Sequence, residues 1–260
     1  MKKIISAFAL TALLCSTTLA DDVEVIELES VSEPAVGDEF ETPAPTSADM
    51  ATARLEAERL VQEAYYVVRE FENNKDYSEE VRLQLGKSRA ILVFPDVLKA
   101  GWVFGVSGGK GVLLARSKTG EWSYPAFYSL TDASFGLQFG INSSRLMMIV
   151  ANGKGLGAII DNEFKAGTSV NAAAANTGSS IGYGTTTNLS QDIYTYATSK
   201  GAFIGASIDL SAIKANNLMN EAYYGSSDAT TQSIILDGQH ANKSADILKE
   251  ILSKYKYTYE

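Results

Sequence analysis

The stretch Gly105-Val106-Ser107-Gly108-Gly109 has the residue types and spacing of a nucleophile elbow, and Asp237 and His240 follow it in the chain order that such serine hydrolases use. An elbow presents its serine on a sharp turn from strand into helix. Here Lys110 to Ala115 is strand-forming and no succession of strand–helix units precedes Ser107, so the context that the chemistry needs is missing. A hydrolase at Ser107 is therefore the third reading, behind two kinds of binding protein. Gly153-Lys154-Gly155-Leu156-Gly157-Ala158 matches the dinucleotide fingerprint in its G-x-G-x-x-A form, but Val170 to Asn176, where the ribose-binding acid is due, contains none. A phosphate loop ending in Lys110 fails too, because Gly111 stands where Ser or Thr must hold magnesium. His240 is the only histidine and Cys15 the only cysteine, which argues against a structural zinc site, and the acids lack the spacing of a calcium loop. The expectation is a protein that is not an enzyme and carries no cofactor or metal.

One charge signal is left. Between Arg82 and Gly120 the bases are Arg82, Lys87, Arg89, Lys99, Lys110, Arg116 and Lys118, and the only acid is Asp96. Such a run is most simply a solvated face whose bases pair with acids elsewhere. Its functional reading is an anion-binding surface, because the backbone amides of a glycine-rich turn can form a nest for phosphate with a lysine beside it. The residues assigned to that surface are Lys87, Arg89, Lys99, Gly108, Gly109, Lys110, Gly111 and Arg116.

These residues need elements to position them. Gly101 to Arg116 reads as a β-hairpin, with Gly108-Gly109 supplying the positive φ of a tight connection. Ile91 to Phe94 reads as a buried strand ended by Pro95, which cannot donate to a ladder. Lys118-Thr119-Gly120 is a second turn, and strands are expected near Trp122 to Ser129, Phe135 to Ile141 and Leu146 to Val150, forming an antiparallel meander. Ile193 to Thr198 and Ala202 to Leu210 suggest another hairpin, Phe164 to Ala175 has strand character, and Gly153 to Asn162 is ambiguous. Helical spacing of Ala57, Leu60, Val61, Ala64, Val67, Val68 and Phe71 predicts an amphipathic helix from Ala53 to Phe71. Further helices are expected over Ser78 to Ser88, Ala215 to Tyr223 and Asp246 to Tyr255. The fold class is α+β: an antiparallel β-rich sheet or barrel of short glycine-punctuated strands, flanked by N- and C-terminal helices.

Two segments stand outside that domain. Lys2-Lys3, the apolar run Ile4 to Leu14 and Thr18-Leu19-Ala20 have the three parts of a secretory signal peptide over residues 1–20, too short to span a bilayer. Residues 21–49 hold ten acids, no Lys or Arg, and Pro34, Pro43 and Pro45, and read as a disordered linker. Taking those ten acids from 31, and Lys2 and Lys3 from 22, leaves 21 acids against 20 bases for residues 50–260. Nothing in that balance predicts nucleic-acid binding.

The order of several stretches resembles the SYLF-domain family from about Ala53 to Tyr257. They are KSRAILVFPDVLKAGWVFGVSGGKGVLLAR, TGEWSYPAFYSL, FGLQFGINSSRLMMIV, YATSKGAFIGASIDLSAIK, EAYYG and ADILKEILSKY. The resemblance implies a non-enzymatic α+β domain that binds phospholipid. In eukaryotic members, phosphoinositide recognition is assigned partly to a basic amphipathic N-terminal helix. The corresponding helix here is net acidic, so headgroup preference is not carried over. The resulting expectation is an exported, periplasmic protein of a bacterial envelope that engages anionic phospholipid headgroups, or a membrane surface, through the basic glycine-rich hairpin. The alternative is an envelope structural or adaptor protein whose basic face meets a protein or cell-wall polymer.

Overall fold

The computed structural model describes residues 44–75, 78–101, 104–135, 140–160, 172–176, 192–200 and 213–255, and the fold is α+β. The expected leader, most of the expected linker, the strand at Ala202 to Leu210 and the start of the stretch at Phe164 lie outside these residues.

The first helix, α1 (Ser47–Glu72), starts six residues earlier than its apolar stripe suggests. Thr46 makes a capping box with Asp49: its hydroxyl accepts from the Asp49 N–H at 3.2 Å, and the Asp49 carboxylate accepts from the Thr46 N–H at 2.9 Å. The last residues assigned to the linker are therefore the helix start. A second helix, α2 (Ser78–Lys87), follows with Glu79 and Glu80 in its first turn.

The sheet contains β1 (Ala90–Gly101), β2 (Phe104–Ala115), β3 (Ala126–Phe135), β4 (Gly140–Val150), β5 (Ala172–Asn176), β6 (Ile193–Lys200) and β7 (Ile213–Ala215). Their spatial order is β5-β6-β4-β1-β2-β3-β7. Neighbours are antiparallel except β5 and β6, which run parallel. The expected meander holds only for β1, β2 and β3. β4 then pairs with the other edge of β1, giving the 4-1-2-3 order of a Greek key.

The hairpin also differs from expectation. Its strands meet at Gly101 and Gly105, so Gly108 and Gly109 lie inside β2 and not in the turn. β1 runs through Pro95, and its register with both neighbours shifts there, between Val93 and Asp96 on one side and between Phe94 and Val97 on the other. Proline is tolerated in a sheet at such a bulge. Glycine is required opposite it. A Cβ on Gly109 would stand 2.6 Å from the Asp96 carbonyl oxygen, and one on Gly111 would stand 2.6 Å from both the Phe94 ring and the Val93 carbonyl oxygen.

Both faces of the sheet are covered, which is why Ile91 to Phe94 is an unbroken apolar run. On one face Ile91, Val93, Val112, Leu114, Phe127, Met147 and Ile149 pack with α1, α2, α4 (Asn217–Tyr224) and α5 (Asp246–Ser253). On the other Leu92, Phe94, Leu113, Tyr128 and Met148 pack with α3 (Gly153–Ile160) and a π-helical turn at Gln232–Leu236.

Candidate functional site

The face under α1 changes character along its strands. Side chains alternate across a sheet, so Arg145 and Ser143 continue the row of Ile149 and Met147, while Lys110 and Gly108 continue that of Leu114 and Val112. Ser129 and Thr131 likewise follow Phe127. The apolar half is sealed by α1, and the polar half stays open as a cleft of about 790 Å³. Its floor comprises Pro95, Asp96, Leu98, Gly108, Gly109, Lys110, Ser129, Leu130, Thr131, Ser143 and Arg145, and α1 contributes Glu56, Arg59, Leu60, Glu63 and Tyr66 as its wall.

The ionic groups of the cleft are paired across this junction. Lys110 Nζ lies 2.6 Å from Glu56 Oε2, and Arg145 Nη1 lies 3.0 Å from Glu70 Oε2, both carboxylates belonging to α1. Arg59 Nη1 meets Glu63 Oε1 at 2.9 Å along the helix. The Ser143 hydroxyl donates to Asp96 Oδ1 at 2.5 Å. Tyr66 and Leu98 are exposed at 68% and 50%, which gives the cleft an apolar rim above a charged floor.

Of the residues assigned from sequence, Gly108, Gly109 and Lys110 line this cleft. Gly111 packs against Phe94. The phosphate nest is not formed, because β2 is paired with β1 and β3 on both edges from Gly108 to Lys110, and Gly111 is paired with Tyr128 of β3. Lys99 is opposite Ser107 and Asn142 in the register of β1. Lys87 ends α2, and Arg89 precedes β1, its N–H donating to the Val150 carbonyl and its carbonyl accepting from the Arg116 N–H.

Arg116 is a correction. It is only 1% exposed, and its Nη2 donates to the carbonyls of Leu85 at 3.1 Å and Tyr255 at 2.7 Å, with the guanidinium 4.6 Å from the Trp122 ring centre. It also lies just past the end of β2, six residues on from Lys110 and roughly 20 Å away. The run of bases is thus divided between two ends of the sheet and does not form one basic face. The signal for the true cleft was the alternation in SSRLMMIV, where a polar residue replaces an apolar one in the same row.

The motifs that suggested chemistry have structural explanations. Ser107 lies within β2, which continues to Ala115, so no helix follows it directly. His240 Nε2 is 3.8 Å from Asp228 Oδ1, and Asp237 ends the π-helical turn. α3 does follow β4, as a dinucleotide fingerprint requires, but its N-terminus is closed by the chain itself. Asn152 Oδ1 accepts from the Gly155 N–H at 3.0 Å, and Asp192 accepts from Asn152 at 2.7 Å and pairs with Lys154 at 3.1 Å. A Cβ on Gly155 would stand 2.7 Å from the Asp192 carbonyl oxygen, so this glycine permits close packing. Among the described residues no cluster of His, Cys, Asp and Glu could hold a metal ion.

Comparison with known proteins agrees with the fold's sequence signature. A family model described as Ysc84, Las17-binding protein actin regulator, matches residues 131–255, from the middle of β3 to the end of α5. The chain is 27% identical over 177 residues to SH3 domain-containing YSC84-like protein 1 of Xenopus laevis, covering 68% of this chain and 52% of that protein. It is 29% identical over 181 residues to Protein YSC84 of Saccharomyces cerevisiae, covering 68% of this chain and 38% of that protein. LAS seventeen-binding protein 3 of Saccharomyces cerevisiae is 28% identical over 181 residues, which is 68% of this chain and 38% of that protein. The chain thus spans about half, or less, of the length of the curated relatives it matches, and no solved structure matches it. These matches, the family model over residues 131–255 and the relatives over 68% of the chain, support a SYLF (Ysc84) domain family for it.

Proposed function

We propose that this domain binds phospholipid headgroups in the cleft between α1 and the polar half of the sheet, without chemical turnover. The observation that carries the reading is the placement of Lys110 and Arg145. They sit on β2 and β4, either side of β1 and on one face, so their backbones are about 10 Å apart and both side chains can reach a single phosphate between them. Ser129, Thr131 and Ser143 add hydroxyls, and the exposed Tyr66 and Leu98 would meet the glycerol and upper acyl region at the rim. The leader-like residues 1–20 support export, and hence an envelope or extracellular membrane surface, as the place of action. Among the described residues no helix is long and apolar enough to cross a membrane.

Sedimentation with phospholipid vesicles tests this. Wild type should bind, and Lys110→Gln with Arg145→Gln should weaken binding severalfold to tenfold or more, since each base near an anionic group is worth about 1 kcal/mol. Absence of binding to any phospholipid vesicle, or equal binding by the double variant, would reject the reading. The descriptions of the relatives favour a second one, in which the same face meets a protein such as Las17; binding to that protein in the absence of lipid, with none to vesicles, would select it.

A further inference from the structure

Every cation of the cleft already has an anion beside it. Lys110 faces Glu56 at 2.6 Å, Arg145 faces Glu70 at 3.0 Å and Arg59 faces Glu63 at 2.9 Å. Of the residues lining the cleft, three are bases and three are acids, the third acid being Asp96. A purely anionic headgroup that takes Lys110 must separate it from Glu56. It then leaves that partly buried carboxylate without a cation and beside a second negative charge, which is unfavourable where water screens poorly. A headgroup with both a phosphate and an ammonium avoids the conflict. Its phosphate can replace the carboxylate at Lys110 while its ammonium replaces the lysine at Glu56, so each protein charge exchanges one partner for another of the same sign.

Resting on the phospholipid reading, we infer that the cleft selects a zwitterionic headgroup of the phosphoethanolamine class, with phosphate at Lys110 and Arg145 and a primary ammonium at Glu56, in a cleft that the carboxylates of Glu63 and Asp96 also line. A primary ammonium brings three N–H donors to these carboxylates. A quaternary ammonium brings none and is recognised by aromatic cages, whereas Tyr66 is the one aromatic side chain among the described residues that line the cleft. Net neutrality of both site and ligand also predicts weak dependence on salt, unlike a contact made by unpaired bases.

The full chain should be compared on vesicles of phosphatidylcholine alone, with phosphatidylethanolamine, and with an equal fraction of phosphatidylglycerol, at low and at physiological salt. The expected result is tightest binding to the phosphatidylethanolamine vesicles, little changed by salt. Glu56→Gln should weaken that binding about tenfold, as loss of one charge-assisted contact does, and should leave binding to phosphatidylglycerol vesicles unchanged or stronger. Glu63→Gln, partly exposed in the cleft wall, should act in the same direction with little effect on thermal stability, since it gives up only the pair with Arg59 along the helix. Soluble glycerophosphoethanolamine should displace the protein, and failure to do so would overturn headgroup recognition by the cleft. Equal or tighter binding of wild type to phosphatidylglycerol vesicles, or no effect of either glutamate variant, would overturn the inference and leave phospholipid binding standing. Binding to no vesicle at all would reject both.

Discussion

Gly111 has no side chain because two atoms of β1 occupy the space where a Cβ would go: the Phe94 ring and the Val93 carbonyl oxygen, each 2.6 Å from that position. Neither can retreat, since Phe94 is buried and the carbonyl belongs to a central strand. Gly111→Ala should therefore cost about 1–3 kcal/mol, as overpacking does. Chemical denaturation should show a lower midpoint with an unchanged slope; a midpoint equal to that of the wild type would show that β1 can shift. The glycines of GVSGGKG were legible as backbone signals but not as to which kind. Glycine marks either a positive φ or a close approach, and only the pairing partner decides. Here the partner is the stretch around the bulge at Pro95, about ten to sixteen residues before them in the chain. Arg116 was misread for a related reason. Charge in a sequence suggests solvent, whereas this guanidinium is buried against the face of Trp122 and donates to the carbonyls of Leu85 and Tyr255, which arrive from distant parts of the chain.

At the scale of elements, α1 does two jobs with two faces. Ala57, Leu60, Val61, Ala64, Val67, Val68 and Phe71 seal the apolar half of the sheet, and Glu56 and Glu70 neutralise the bases on the polar half. Its position depends on its first turn, which has no packed apolar residue before Met50 and relies on the Thr46 capping box. Thr46→Ala should cost about 1 kcal/mol. Hydrogen exchange should then quicken in the first turn of α1 and hardly at all near Phe71; uniform change along the helix, or none, would contradict this. The helices α1, α2, α4 and α5 were readable because helical periodicity is a local property. Strand ends were harder. Pro95 and the glycines look like breakers, yet β1 and β2 run straight through them, and Phe135 and Ile141 belong to two different strands that were taken as one. The cleft itself was half legible: the alternation in β4 places Ser143 and Arg145 in one row, but nothing local says that α1 supplies the opposing wall.

For the molecule as a whole, the last described residue fastens distant parts together. The Tyr255 carbonyl accepts from Arg116, and its hydroxyl donates to Glu72 at the end of α1. Burial first, and then the bond to Glu72, push the Tyr255 hydroxyl above the usual range of a tyrosine. A folded value raised above an unfolded one near 10 gives a contribution that is complete below about pH 10 and lost as pH climbs beyond it. Ending the chain at Lys254 should lower stability at neutral pH and also flatten the decline above pH 10; an unchanged alkaline limb would remove Tyr255 from the account. The strand order carries a different consequence, one of time. β1 sits at the centre of the finished sheet, but its second neighbour, β4, is made some fifty residues later. While the chain emerges, β1 and β2 can close as a hairpin, yet the other edge of Ile91 to Phe94 stays bare until Leu146 to Val150 arrive. An apolar run with unpaired amides is a template for pairing with other chains. During that interval this protein is most exposed to aggregation, and a holding chaperone would find its natural target at Ile91 to Phe94.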